Sequence, residues 1–310
     1  MHRIISLLTN LLPYSLLRFG EDTACAVISR FNKTFRITYC GYSVVMPATD
    51  HSASQIYFRY LLTHSWRHEI YEQGLVESLL CGQMSGAWFI DGGANYGMFT
   101  LLAASLPSVA KCVAIESSPT TFNYLEETIR NNQLSEKVQC INAAISSISG
   151  ETLYVAEVEH SEWSKTTTLP TNGLEQDLLR VDSISLDDLI NAEKIPLTTP
   201  IFIKLDIEGN EPEAFQGLQQ LFQSNRNYMI LFEFHAGLLN TMEHSAKGFV
   251  NSIWKPELYV IYEIKSHLSH FEKINSLSDF EKLSDRCSAS DFPNNLTNLL
   301  LSNRLINKFS

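Results

Sequence analysis

Residues 87–97 read Ala87-Trp88-Phe89-Ile90-Asp91-Gly92-Gly93-Ala94-Asn95-Tyr96-Gly97. An apolar run enters an acid, then a turn almost without side chains, then the apolar residues Met98, Phe99, Leu101 and Leu102. This stretch constrains the chain more than any other. A strand that breaks at such a turn and resumes as a helix opens a strand-helix-strand unit. Gly93 and Gly97 can take positive φ or admit close approach, and Asn95 tolerates the left-handed region better than most residues. The helix start beyond them offers unpaired N–H groups. The spacing is not the dinucleotide fingerprint G-x-G-x-x-G. It is D-x-G-x-N-x-G, with Asp91, Gly93, Asn95 and Gly97 two apart. The next apolar run, Lys111–Ile115, ends in Glu116. An acid about 20 positions past a glycine turn suits a ribose with two free hydroxyls.

The alternation continues along the chain. A helix from Met98 closes before Pro107, and Ser118-Pro119 reads as an N-cap with proline at the first helical position. Further strands are expected at 137–142, 201–206 and 228–235, with later ones at 258–264 and 297–302. Ser185-Leu186-Asp187-Asp188 resembles a capping box before a short helix, and a helix with Pro212 near its start follows the turn at 207–210. Strands separated by helices imply a mostly parallel sheet with helices on both faces. Ahead of this region a hairpin is expected over 34–47 and a helix over 66–81. These read as an N-terminal lead-in, residues 1–82, to a domain over 83–310. Residues 156–180, with Trp163 and Lys165, read as a polar, irregular loop suited to covering a substrate.

Composition narrows the partners. The formal net charge of −11 argues against a nucleic-acid partner. Six scattered cysteines without a C-x-x-C pair suggest neither a disulfide framework nor a zinc site, and a reducing, cytoplasmic location is expected. The apolar stretch at 4–17 is too short to span a bilayer and is interrupted by Pro13. It fits a docking or interfacial helix, with peripheral membrane contact left open.

In parallel sheets ligands bind beyond the carboxyl ends of the strands. Those ends carry Asp91, Glu116, Asn142, Asp206 with Glu208, and Glu233 with His235. The combined pattern resembles the FkbM family of methyltransferases. The carrying segments are IDGGANYGMFT (90–100), AIESSP (114–119), INAAISSISG (141–150), SISLDDL (183–189), IKLDIEGNEPEAFQG (203–217) and LFEFH (231–235). The resemblance implies a Rossmann-like, seven-stranded methyltransferase sheet whose last strand runs antiparallel. It also implies S-adenosylmethionine as donor and O-methylation of a hydroxyl on a sugar or secondary metabolite, so the partner is a small-molecule or glycan acceptor. Asp91, Gly93, Asn95, Gly97, Glu116, Asn142 and Ala143 are then the expected cofactor contacts. Asp206 and His235 are the candidates for taking the acceptor's proton, supported by Glu208, Glu233 and Trp163. Asp206, Glu208, Glu233 and His235 could gather a hard divalent ion, but no metal-specific spacing is present and no metal is expected. A nicotinamide-dependent oxidoreductase and a non-catalytic interaction module are the alternatives; the missing fingerprint argues against the first, and the intact Asp91, Glu116 and Asp206 against the second.

Overall fold

The structure is a computed structural model that describes residues 34–48, 50, 53, 56–57, 70–156, 165–167, 178–241, 244–264, 271–290 and 296–306. The apolar stretch at 4–17 and Trp163 lie outside the described residues. The chain begins with a hairpin of β1 (Thr34–Tyr39) and β2 (Tyr42–Pro47), then helix α1 (Ile70–Gly82). The alternation follows: β3 (Ala87–Gly92), α2 (Met98–Ser105), β4 (Val109–Glu116), α3 (Pro119–Asn131) and β5 (Val138–Asn142). Four small strands come next, β6 (Ala144–Ile145), β7 (Thr152–Ala156), β8 (Lys165–Thr167) and β9 (Leu178–Ile184), then α4 (Leu186–Ala192) and β10 (Ile201–Leu205). Helices α5 (Glu211–Gln216) and α6 (Gln219–Gln223) lead to β11 (Tyr228–His235), α7 (Ala236–Thr241) and α8 (Ala246–Ile253). The chain closes with β12 (Val260–Ile264), β13 (Phe271–Lys273), α9 (Leu277–Ser288) and β14 (Leu296–Ser302).

The main sheet has the order β13-β12-β14-β11-β10-β3-β4-β5. Strands β5, β4, β3, β10 and β11 are mutually parallel. Strand β14 inserts antiparallel between β11 and β12. This is the Rossmann-like α/β sheet with an antiparallel last strand that the sequence led us to expect. The three-residue β13 adds an eighth strand at the edge, short enough to leave little unpaired backbone.

The sheet separates two apolar layers. One packs Phe89, Phe202, Met229, Leu231 and Leu300 against α1, α2, α3 and the hairpin. The other packs Ile90, Ile203, Ile230 and Phe232 against α4, α5, α6, α8 and α9. The hairpin docks on α3, where the Ser43 and Val45 N–H groups donate to Asn132 Oδ1 and Thr128 Oγ1. Parity then places the site. Strand residues alternate faces. Asp91 follows Phe89, Glu116 follows Ala114, Lys204 follows Phe202 and Glu233 follows Leu231, each two positions on. All four therefore emerge on the layer shared with α1 and α2.

The polar segment 156–180 is not loop throughout. Strands β7, β8 and β9 form a separate four-stranded sheet with β6, so both ends of the segment are paired backbone. Strand β9 escapes a pattern reading because Arg180, Asp182 and Ser183 interrupt its apolar residues. The Pro212 helix is divided in two at Gly217 and Leu218. Helices α7, α8 and α9 are further additions; α8 and α9 start at the serine caps Ser245 and Ser276.

Candidate functional site

The glycine turn is held from both sides. The Gly93 and Ala94 N–H groups donate to the Ile115 carbonyl, tying the turn to β4. The Asp206 N–H donates to the Gly92 carbonyl, tying it to the end of β10. Gly93 has φ 74°, and a Cβ there would lie 1.9 Å from the Asp206 carbonyl oxygen. Gly97, at φ 85°, begins α2 with the Leu125 side chain against it. The glycines thus make room for the protein's own backbone and core, where the sequence suggested room for a ligand. Asn95 adopts φ 49°, as its type permits.

Asp91 ends β3 almost fully buried, at 1% exposure. Its Oδ2 accepts from the Thr100 hydroxyl of α2 at 2.5 Å, while Oδ1 has no partner among the described residues. Burial raises its carboxyl above the usual range, with Lys204 opposing that shift. A buried oxygen of this kind costs about 1–3 kcal/mol unless something donates to it. Glu116, also buried, accepts from the Asn95 N–H at 2.9 Å and the Ser118 N–H at 2.8 Å, one to each oxygen. Desolvation pushes it up to about 7 despite these bonds. The Ser117 N–H bonds to this carboxylate as well, and part of its acceptor capacity remains. Asn142 is occupied locally: its Nδ2 donates to the Glu116 and Ser117 carbonyls and braces the turn between β4 and α3. Ala143 is buried beside it, with its N–H on the Glu116 carbonyl.

The second half of the site gathers around one lysine. Lys204, 5% exposed, places Nζ 3.1 Å from Asp206 Oδ2 and 4.4 Å from the centre of the Phe99 ring. Lys204 and Asp91 are direct cross-strand neighbours. Glu233 and Glu72 also feel its charge. Glu233 is raised well above the usual range by burial and by Asp206, Glu211 and Glu72. Glu211 accepts from the Ile207 N–H at 3.1 Å, closing the turn ahead of α5, and burial pushes it up to about 7. Glu208 sits within that turn in the left-handed region, at φ 56°.

His235 is half-buried at the end of β11, and its Nδ1 accepts from the Leu238 N–H at 3.1 Å. In that arrangement the neutral ring carries its hydrogen on Nε2. The ring is therefore arranged to donate at Nε2, and its basic nitrogen already serves the start of α7. Burial lowers its pKa. No group of three or more histidine, cysteine, aspartate or glutamate side chains among the described residues could hold a metal ion.

Glu72 was not foreseen. It lies in the first turn of α1, and its Oε1 accepts from Asn298 Nδ2 on β14. Nothing in the local sequence marks it, since a glutamate in a first helical turn is ordinary dipole chemistry. Thr100 was read only as part of a motif.

A family model described as the methyltransferase FkbM domain matches residues 91–271, more than half of the chain. The chain belongs to the FkbM methyltransferase family. The chain is 28% identical over 167 residues to the hexuronic acid methyltransferase AglP of Haloferax volcanii, across 54% of this chain and 64% of that protein. The match thus spans less than two thirds of the relative's length. Among solved structures, the FkbM methyltransferase of Methylobacillus flagellatus KT is 16% identical, covering 80% of this chain and 54% of that one, with a TM-score of 0.39. An O-methyltransferase of Bacillus cereus solved with SAH is 14% identical, covering 74% and 79%, with a TM-score of 0.35. No helix among the described residues is long and apolar enough to cross a membrane.

Proposed function

We propose that this chain transfers a methyl group from S-adenosylmethionine to a hydroxyl of a sugar or another polyhydroxylated small molecule. The observation that carries the reading is Asp91 Oδ1, a buried carboxylate oxygen without a partner among the described residues, at the head of the glycine turn. An ammonium group such as the donor's methionine end satisfies that oxygen. Glu116 accepts the ribose hydroxyls with the lone pairs its backbone partners leave free, and Ala143 offers little bulk against the adenine. Asn142 supports this end by fixing the turn that carries Glu116.

S-adenosylmethionine supplies an electrophilic methyl group when bound. The chain's own residues position the acceptor and move its proton. Asp206 takes the hydroxyl proton on its carboxylate as the new C–O bond forms, and releases it to solvent afterwards. Lys204 holds Asp206 in place through their ion pair at 3.1 Å. His235 donates from Nε2 to an acceptor oxygen, with Glu233 and Glu208 on the same rim as further hydrogen-bonding partners. A rim rich in carboxyl groups suits a molecule rich in hydroxyl donors, and a net charge of −11 suits a small-molecule or glycan acceptor over a nucleic acid. AglP, whose name is that of a hexuronic acid methyltransferase, supports a sugar as the first acceptor to try. Residues 1–82 form a lead-in to the transfer domain over 83–310, and residues 156–180, with Trp163, cover the acceptor.

The test is transfer of label from methyl-labelled S-adenosylmethionine to a panel of neutral, amino and uronic acid sugars. Label in a sugar product, lost in Asp206→Asn, supports the reading. No product across the panel, together with no donor binding, overturns it.

A further inference from the structure

We propose that Thr100 is the positioning residue for the methyl donor's amino end: its hydroxyl holds one oxygen of Asp91 so that the other faces the donor's ammonium group. This rests on the proposed donor site and gives Thr100 a task beyond its place in the glycine-turn motif.

Helix α2 starts at Gly97, which has no side chain to cap it. The first four N–H groups of a helix lack partners within that helix. Asp91, nine positions earlier at the end of β3, meets this first turn in place of a capping residue. The Thr100 hydroxyl donates to its Oδ2 at 2.5 Å, and the Thr100 N–H also bears on the carboxylate. Thr100 is 0% exposed and Asp91 1%, so neither can exchange this bond for one with bulk water. The other oxygen, Oδ1, is buried and has no partner among the described residues. The carboxylate is therefore divided: one oxygen is anchored to α2 and one is left to a ligand. Tying Oδ2 to a helix fixes where Oδ1 points. Threonine suits the task because branching at Cβ stiffens χ1, which holds the hydroxyl in one direction. A hydroxyl that donates to a carboxyl group also favours its charged form, the form with which an ammonium pairs. Thr100 has no exposed surface of its own and reaches the donor only through Asp91.

The test is calorimetric titration of two ligands into wild type, Thr100→Val and Thr100→Ser. S-adenosylhomocysteine carries the amino end. Methylthioadenosine has the same adenosine and thioether sulfur without it. Valine keeps the shape of threonine and lacks the hydroxyl, whereas serine keeps the hydroxyl. In Thr100→Val the affinity for S-adenosylhomocysteine should fall about tenfold, while that for methylthioadenosine stays within about twofold of wild type. Thr100→Ser should hold both affinities within about threefold of wild type. A general distortion of the turn would weaken both ligands alike. Equal losses for the two ligands, undiminished S-adenosylhomocysteine affinity in folded Thr100→Val, or a serine variant as weak as the valine one each overturns the proposal. If Thr100→Val fails to fold, Thr100→Cys takes its place with the same expectations, since a thiol is only a weak donor. Failure of wild type to bind S-adenosylhomocysteine removes the donor site itself. Binding in wild type with an unaffected valine variant removes only the role of Thr100.

Discussion

Gly93→Ala tests the link between the two halves of the site. The added Cβ would lie 1.9 Å from the Asp206 carbonyl oxygen, and that atom is main chain, so no side chain can swing aside. Restoring an ordinary separation of roughly 3 Å or more requires the turn and the end of β10 to part by about 1 Å. Two terms add. A non-glycine residue at φ 74° costs about 1–2 kcal/mol, and overpacking costs about 1–3 kcal/mol. The expected destabilisation is about 2–5 kcal/mol, or roughly 4–10 °C in Tm for a chain of this size. Gly150→Ala is the internal control. Gly150 has φ 83° with nothing within 4 Å of its would-be Cβ, so it incurs only the backbone term. Thermal denaturation of both variants isolates the clash by difference, and a 1 Å misplacement of Asp206 can lower turnover about 100-fold. If Gly93→Ala is no less stable than Gly150→Ala and transfers methyl groups normally, the interlock between the turn and Asp206 is not as described.

Asp206→Asn should lower turnover roughly 10²–10⁴-fold with donor affinity nearly unchanged, measured by label transfer and calorimetry; wild-type turnover would remove Asp206 from proton transfer. His235→Ala should cost about 1 kcal/mol through the lost bond to the Leu238 N–H, read from chemical denaturation. Because burial lowers its pKa, the folded state resists protonation, so wild-type stability should fall as pH drops below about 6.5. That acid limb should be shallower in the alanine variant, and an identical limb would contradict the buried neutral ring. Deleting residues 168–177 should spare donor binding and abolish transfer, and equal loss of both would make the segment structural.

The positions of the main strands along the chain were legible because each is an apolar run bounded by a turn or a cap, and the antiparallel last strand was implied by the family resemblance. Tyr228–Phe232 is an unbroken instance, and Ser118-Pro119 marks the start of α3 without help from the rest of the fold. Strand β9 was not legible, since it buries Ser183 and exposes Leu179, so polarity does not track its two faces. At the site, reading the strand ends picked out Asp91, Glu116 and Glu233, which the shared parity of their strands brings to one layer, and Asp206, which follows β10 and pairs with Lys204. What each does was less legible. The Asn142 amide is taken by two carbonyls, and the basic nitrogen of His235 by the Leu238 N–H, facts that depend on chain geometry beyond a local window. Glu72 was out of reach for a different reason. Its partner Asn298 is 226 residues away, and only the insertion of β14 beside β11 brings them together.

The most direct test of the account is calorimetric titration of S-adenosylhomocysteine into wild type and Glu116→Ala. The account predicts one site in wild type, and in the variant a loss of roughly 1.5–3 kcal/mol, about ten- to a hundredfold in affinity. Absence of saturable binding in wild type, or equal affinity in both proteins, would contradict the assignment of the glycine turn and Glu116 to the methyl donor.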